Sequence, residues 1–122
     1  MQFPYFAQHD AMDCGPACLR MVAAFHGRFF SLEGLRERAH LSREGVSLLG
    51  ISEAAESIGL RSTGVMVSFD ELMTAPLPCI VHWNQQHFVV VYAIKSRKKG
   101  ILVHVADPAG GKQQYSREEF CR

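Results

Sequence analysis

The chain has 122 residues, 13 Lys plus Arg against 12 Asp plus Glu, 48% hydrophobic and 20% charged residues, and four cysteines. That length and apolar content suit a single domain, 1–122, whose core buries roughly two-thirds of the surface its unfolded chain exposes, so no metal or disulfide is required to hold it. A formal charge of +1 offers no broad field for nucleic acid or an anionic membrane, and the longest apolar run, Phe88 to Ile94, falls far short of the roughly 20 residues of a membrane span.

The opening segment has neither a basic n-region nor a long apolar h-region, so it does not read as a signal peptide. The fragment is expected to be soluble, with Cys14, Cys18, Cys79 and Cys121 as free thiols in a reducing compartment. The first helix is predicted to start at Cys14, with Asp13 as cap, Pro16 in the first turn and Gly27 as the stop. Ala17, Met21, Ala24 and Phe25 repeat at helical spacing and mark its buried face. Ser31 opens a second helix to about His40, with Leu32, Leu35 and Ala39 on one side. Ser47 opens a third, with Leu48, Ile51, Ala55 and Ile58 as its core face and Gly59 as its stop.

Strand signals follow at Ser62 to Val67, Cys79 to Trp83, Phe88 to Ile94 and Ile101 to Ala106, broken by Pro76-Leu77-Pro78 and by Lys95 to Gly100. Ser116 and Glu119 form a capping-box pattern, and the chain stops before that helix completes two turns, as a truncated C-terminus would. Helices first and strands second suggest an α+β fold in which N-terminal helices pack on a C-terminal antiparallel sheet.

The sharpest chemical feature is Gln8-His9-Asp10-Ala11-Met12-Asp13-Cys14-Gly15-Pro16-Ala17-Cys18-Leu19. A thiol at a helix N-terminus faces unpaired backbone N–H groups and the positive end of the macrodipole, which favour the thiolate. Cys14 is therefore the candidate nucleophile, and a nucleophile needs a base that is itself oriented by an acceptor. Writing Phe88 to Ile94 and Ile101 to Ala106 as a hairpin with His87 opposite Asp107 pairs Val89 with Val105, Val91 with Val103 and Ala93 with Ile101. Every pair on that face beyond the polar one is apolar, and the helix starting at Cys14 is its expected cover. His87 is then the base and Asp107 the group that holds its imidazole. Gln8, on the segment leading into the helix, is placed to add a side-chain N–H to the Cys14 backbone N–H in an oxyanion hole.

Gln8 to Leu19, with Gly45-Val46-Ser47, His87-Phe88-Val89-Val90 and Asp107-Pro108, resembles the papain-like cysteine peptidase domain found at the N-terminus of ABC exporters that process and secrete bacteriocins and other double-glycine-leader peptides. The resemblance covers almost the whole chain. It implies Gln8 as oxyanion glutamine, Cys14 as nucleophile, His87 as base and Asp107 as orienting acid. It also implies cleavage of a leader after Gly-Gly or a similar small pair at the cytosolic face of the membrane, coupled to export. The implied partners are a leader-containing precursor and the transmembrane and nucleotide-binding domains of the same exporter. ATP would bind in that other part, and this domain needs no cofactor.

A narrow cleft that rejects any side chain beyond a methyl selects glycine by exclusion, while an amphipathic leader helix docks by apolar anchors. Phe29, Phe30, Leu48, Val65, Met66 and Met73 are candidates for that groove. Cys14 and Cys18 with His82 or His87 do not have zinc-site spacing, so no metal is expected. Cys18 reads as a core residue one turn beyond Cys14, Cys79 as a strand residue and Cys121 as a tail thiol. His82 and His104 read as solvated or satisfied histidines, and the basic Lys95-to-Lys99 run as a solvated hairpin loop without nucleic-acid contact. Gly110-Gly111-Lys112 lacks the rest of a phosphate loop and reads as a turn. Two other functions compete with cleavage: a non-cleaving peptide-binding module that recruits export cargo, and papain-like chemistry on a non-peptide acyl group.

Overall fold

Ser, Gly and Pro punctuation divides the chain much as the apolar spacing predicts. The computed structural model describes residues 2–10, 12–40, 46–62, 68–83 and 87–121. Three helices come first: α1 Cys14–Phe25, α2 Leu32–Arg38 and α3 Leu48–Ser57. Ser31 and Ser47 cap the second and third by accepting from the backbone N–H of Gly34 and Gly50. Gly27 and Gly59 follow α1 and α3 with φ of +80° and +90°, the left-handed conformation in which glycine ends a helix at no steric cost. Leu48 departs from its expected core position. It is 46% exposed, while Ile51, Ala55 and Ile58 are buried as expected, joined by Gly50 and Ala54.

A short helix not expected from the sequence, α4 Phe69–Met73, precedes the sheet, closed by a reciprocal Ser68/Glu71 capping box. Four antiparallel strands then run in simple order: β1 Cys79–Trp83, β2 His87–Arg97, β3 Gly100–Asp107 and β4 Gly111–Ser116. The strand expected at Ser62 to Val67 lies outside the described residues save for Ser62, which is in no regular element. The turn read at Gly110-Gly111-Lys112 is present at Pro108 to Gly110, but Gly111 and Lys112 already open β4, a strand not expected because Lys112, Gln113 and Gln114 are exposed on a sheet edge and give no apolar alternation. The final helix, α5 Arg117–Phe120, opens on the expected Ser116/Glu119 capping box.

The strand register differs from the expected one. Val91 pairs with Val105 and Val90 with Ala106, and beyond a bulge at Tyr92 the pairing continues as Ala93 with His104. Both faces of the central strands are covered. Phe88, Val90 and Ala106 share a cluster with Cys14, Cys18 and Met21 of α1, whereas Val89, Val91, Val103 and Val105 pack with Leu72 of α4 and Phe120 of α5. Thus α1 covers the Phe88/Val90/Ala106 face and not the valine face assigned to it from sequence. A strand buried on both sides loses the alternation that would identify its inner face. α5 is fixed by Trp83, whose Nε1 donates to the Phe120 carbonyl at 3.0 Å and whose ring stacks on Phe120 at 5.4 Å. Truncating a buried phenylalanine of this kind costs about 3–5 kcal/mol.

Candidate active site

β2 begins at His87 and β3 ends at Asp107, so the two side chains meet at one end of the sheet. His87 Nε2 lies 2.5 Å from Asp107 Oδ1. With Nε2–H donating to the carboxylate, the imidazole lone pair is on Nδ1, the nitrogen left to act as a base. Asp107 is itself held from several sides. Its Oδ1 also accepts from Ala109 N at 2.9 Å, and its carbonyl accepts from the Tyr5 hydroxyl at 2.6 Å. The Tyr5 oxygen in turn accepts from Gly111 N at 3.1 Å, tying the N-terminal segment to the β3–β4 turn. Tyr5 was not singled out in the sequence. Its partners lie more than a hundred residues away, and no local pattern announces them.

Cys14 is the first residue of α1 and is 7% exposed. It shares an apolar cluster with Phe88 and Ala106, the chain neighbours of His87 and Asp107. One turn further on, the Cys18 thiol is fully buried and donates to the Phe88 carbonyl at 3.2 Å, fastening α1 to β2 one residue beyond the histidine. Among the described residues, no hydrogen bond joins the Cys14 thiol to the His87 ring. Gly15 keeps the start of α1 close to α3, since a Cβ there would stand 3.0 Å from Ile51 Cδ1.

Gln8 reaches the same corner from the N-terminal segment. Its backbone N–H donates to the Pro108 carbonyl at 3.0 Å, next to Asp107, and its Nε2 donates to the Asp10 carbonyl at 2.9 Å. The second N–H of the carboxamide is not used by that bond, and Oε1 is buried without a partner.

Asp13 occupies the N-cap position but caps nothing with its side chain. Its carboxylate is fully buried and turned to Arg36 of α2, which donates from Nε to Oδ1 at 2.7 Å and from Nη2 to Oδ2. A carboxylate out of water must find a cation or several donors, and the guanidinium fork outcompetes a single helix N–H. The Arg36 hydrogen bonds hold the Asp13 carboxyl below the usual carboxylate range, against the upward effect of burial.

The remaining candidates fall apart spatially or chemically. His82 is exposed and stacks on Phe88 at 4.6 Å. His104 is 8% exposed, neither solvated nor satisfied at Nε2, and burial lowers its pKa. Cys14, Cys18, Cys79 and Cys121 are unpaired. Burial pushes the Cys79 thiol up to about 11 and the Cys18 thiol well above its ordinary value. The described residues hold no group of three or more His, Cys, Asp or Glu side chains arranged for a metal, and no helix among them is long and apolar enough to cross a membrane. Of the groove candidates, Phe29, Leu48 and Met73 are exposed and Phe30 packs partly into the α1–α2–α3 core, while Val65 and Met66 lie outside the described residues.

Comparison with known proteins matches the Peptidase C39 family over residues 2–122. The chain is 37% identical over 119 residues to the colicin V secretion/processing ATP-binding protein CvaB of Escherichia coli, covering 98% of this chain and 16% of that protein. It thus spans about a sixth of the length of the curated relatives it matches. Among solved structures, a double glycine motif protease from an AMS/PCAT transporter, crystallised in complex with the leader peptide, superposes with a TM-score of 0.90. It is 34% identical, over 98% of this chain and 83% of that one. The peptidase domain of Streptococcus ComA, described as a bi-functional ABC transporter involved in a quorum sensing pathway, gives 0.87 at 30% identity, over 98% and 90%. The helices packed on a four-stranded antiparallel sheet are the fold of these peptidase domains.

Proposed function

The chain belongs to the peptidase C39 family, and from that premise we propose that it is a cysteine endopeptidase that removes the leader of a secreted, bacteriocin-like peptide by cutting after a Gly-Gly type pair. The observation that carries the reading is the His87–Asp107 pair, 2.5 Å apart, at the sheet end packed against the helix that begins with Cys14.

In this reading His87 Nδ1 takes the Cys14 proton as the sulfur adds to the carbonyl carbon of the second glycine. The oxygen that becomes negative is held by the Cys14 backbone N–H, which has no intrahelical acceptor, and by the free N–H of Gln8. Collapse breaks the C–N bond, and His87 returns the proton to the departing amine, leaving a thioester. Water, deprotonated by His87, then splits the thioester, freeing the leader carboxylate and restoring the thiol. Asp107 keeps Nε2–H engaged throughout and stabilises the imidazolium. The bond that forms between Cys14 and His87 does so on substrate binding, as catalytic contacts commonly tighten only in the complex.

The substrate in this proposal is a leader-containing precursor. The module works at the cytoplasmic face of the membrane beside the transmembrane and nucleotide-binding domains of one exporter, and ATP binds there and not in this domain. The names of its relatives, which join secretion to processing, support that reading. Incubation with a peptide carrying an apolar helical leader and a Gly-Gly junction is expected to give two fragments, read by mass spectrometry. Cys14→Ala is expected to give none. Binding without turnover by the native chain would favour the non-cleaving cargo module instead, and equal cleavage by Cys14→Ala would refute the thiol mechanism.

A further inference from the structure

The Asp13 carboxylate is the one charged group among the described residues with no exposed surface, and it sits between the two groups assigned to the oxyanion. On one side it precedes Cys14 in the chain and its carbonyl accepts from Ala17 N at 2.9 Å, the first bond of α1. On the other, Oδ2 accepts from Asp10 N at 3.1 Å, and Asp13 N donates to the Asp10 carbonyl at 3.1 Å. That carbonyl is the acceptor that aims the Gln8 carboxamide. Asp10 Oδ1 accepts from Met12 N at 2.9 Å, closing the turn, and Asp10 Oδ2 lies 3.9 Å from Arg36 Nη2. Arg36 of α2 therefore fastens the whole 8–13 turn through Asp13.

The same fork has a second consequence. A free carboxylate at an N-cap normally turns onto the N–H groups of the first helical turn. Here the third helical residue, Pro16, has no N–H, so the donor left for an Asp13 cap is the Gly15 N–H, next to the Cys14 N–H assigned to the oxyanion. Arg36 draws the carboxylate off that donor and neutralises a charge that would otherwise repel the developing oxyanion.

We propose that Asp13 and Arg36 form a positioning latch: by holding the Asp13 carboxylate away from the α1 N-terminus and against Asp10, Arg36 sets the Gln8 carboxamide and the Cys14 N–H as a matched pair of donors. The latch rests on the peptidase reading above, and neither residue touches the reacting atoms. Its signature is a loss in kcat that runs through Gln8.

The test uses Arg36→Lys, which keeps the charge but cannot form the fork, on a Gly-Gly leader peptide. Loss of one oxyanion donor costs about 10²- to 10³-fold in kcat, and a misaimed donor is expected to cost about tenfold, with KM within about threefold. In a Gln8→Ala background the same Arg36→Lys change is expected to alter kcat by less than about threefold, because the donor it aims is gone and coupled sites are non-additive. Asp13→Asn, isosteric and still able to accept from Asp10 N, carries the same expectation should Arg36→Lys fail to fold. Cleavage by the wild type with kcat retained in the variants would overturn the latch alone, as would equal losses in both backgrounds, which mark a merely structural pair. No cleavage by the wild type would overturn both the latch and the peptidase reading.

Discussion

His87 meets Asp107 through Nε2 at 2.5 Å although the two are not facing partners in the β2–β3 ladder. Continuing the Val91–Val105 register sets Val89 opposite Asp107, so His87 reaches the carboxylate along a diagonal, a separation of about 7–8 Å that long side chains bridge. One oxygen does all the orienting work, because Oδ1 accepts both from His87 Nε2 and from Ala109 N.

An asparagine at 107 with its oxygen in that place keeps both bonds and the imidazole tautomer. It loses only the charge opposite the imidazolium, and papain-like sites use Cys-His-Asn with success. Asp107→Asn is therefore expected to lower kcat/KM by about tenfold or less, while Asp107→Ala, which frees the ring, is expected to cost about 10²- to 10⁴-fold. Steady-state cleavage of a Gly-Gly peptide checks the ranking. Equal damage from both variants would mean that the charge, and not the acceptor, is what His87 needs.

The four thiols are expected to separate by reactivity. At pH 7.5 a thiol pushed up to about 11 is thiolate in roughly one molecule in several thousand, so Cys79 stays silent, and Cys18, fully buried and raised well above its ordinary value by that burial, does as well. Iodoacetamide under native conditions should modify Cys14, with loss of activity, and the exposed Cys121. Peptide mapping checks this, and a Cys121→Ser variant isolates the Cys14 rate. Labelling of Cys79 or Cys18 as fast as Cys14 would contradict the assignment of the nucleophile.

Much of this organisation is local and hence readable from the chain. Ser31, Ser47 and Ser116 each accept from a backbone N–H three residues on, and Gly27 and Gly59 take the positive φ that ends a helix. The Ser68/Glu71 box carried the same signal, but five residues with one buried side chain, Leu72, leave too short an apolar pattern to mark α4. In β2 the run Phe88-Val89-Val90-Val91 is buried on both faces, so alternation is absent, and nothing local reports the bulge at Tyr92. The expected register sets His87 directly opposite Asp107, whereas the observed one is displaced by two residues, an even displacement that keeps both on one face and lets them meet along a diagonal. Asp13 illustrates the opposite case. Its capping role was inferred from neighbours in sequence, and the residue that redirects it, Arg36, lies 23 positions away.

Acid should test that pair directly. The Asp13 carboxyl is held below its ordinary value of 3.8, chiefly by the Arg36 hydrogen bonds. A carboxyl depressed in the folded state contributes stability that is complete above the unfolded value and disappears as pH falls through the folded one. The wild type is thus expected to melt above Asp13→Asn at pH 5 to 7, with the gap closing below about pH 4. Calorimetric melts from pH 7 to pH 2 check it, and a gap that stays constant across that range would show that the charged form of Asp13 is not what stabilises the fold.

Gly50 offers a case in which sterics and helix propensity predict opposite signs. It lies inside α3, where replacing glycine by alanine ordinarily stabilises by about 1 kcal/mol. A Cβ at this position, however, would fall within the van der Waals shell of the Ala39 carbonyl oxygen, with Val46 Cγ1 at 3.2 Å beside it. The first obstacle is backbone, at the C-terminal end of α2, so relief requires the two helices to move apart. Overpacking of this kind costs about 1–3 kcal/mol, enough to cancel or reverse the propensity gain. Gly50→Ala is accordingly expected to be neutral or destabilising in urea titration, whereas Gly34→Ala in α2, whose Cβ would meet only the Ser31 hydroxyl at 3.2 Å, should not be penalised by backbone contact. A Gly50→Ala protein more stable than the wild type would show that α2 and α3 do not approach as closely as Ala39 and Gly50 require.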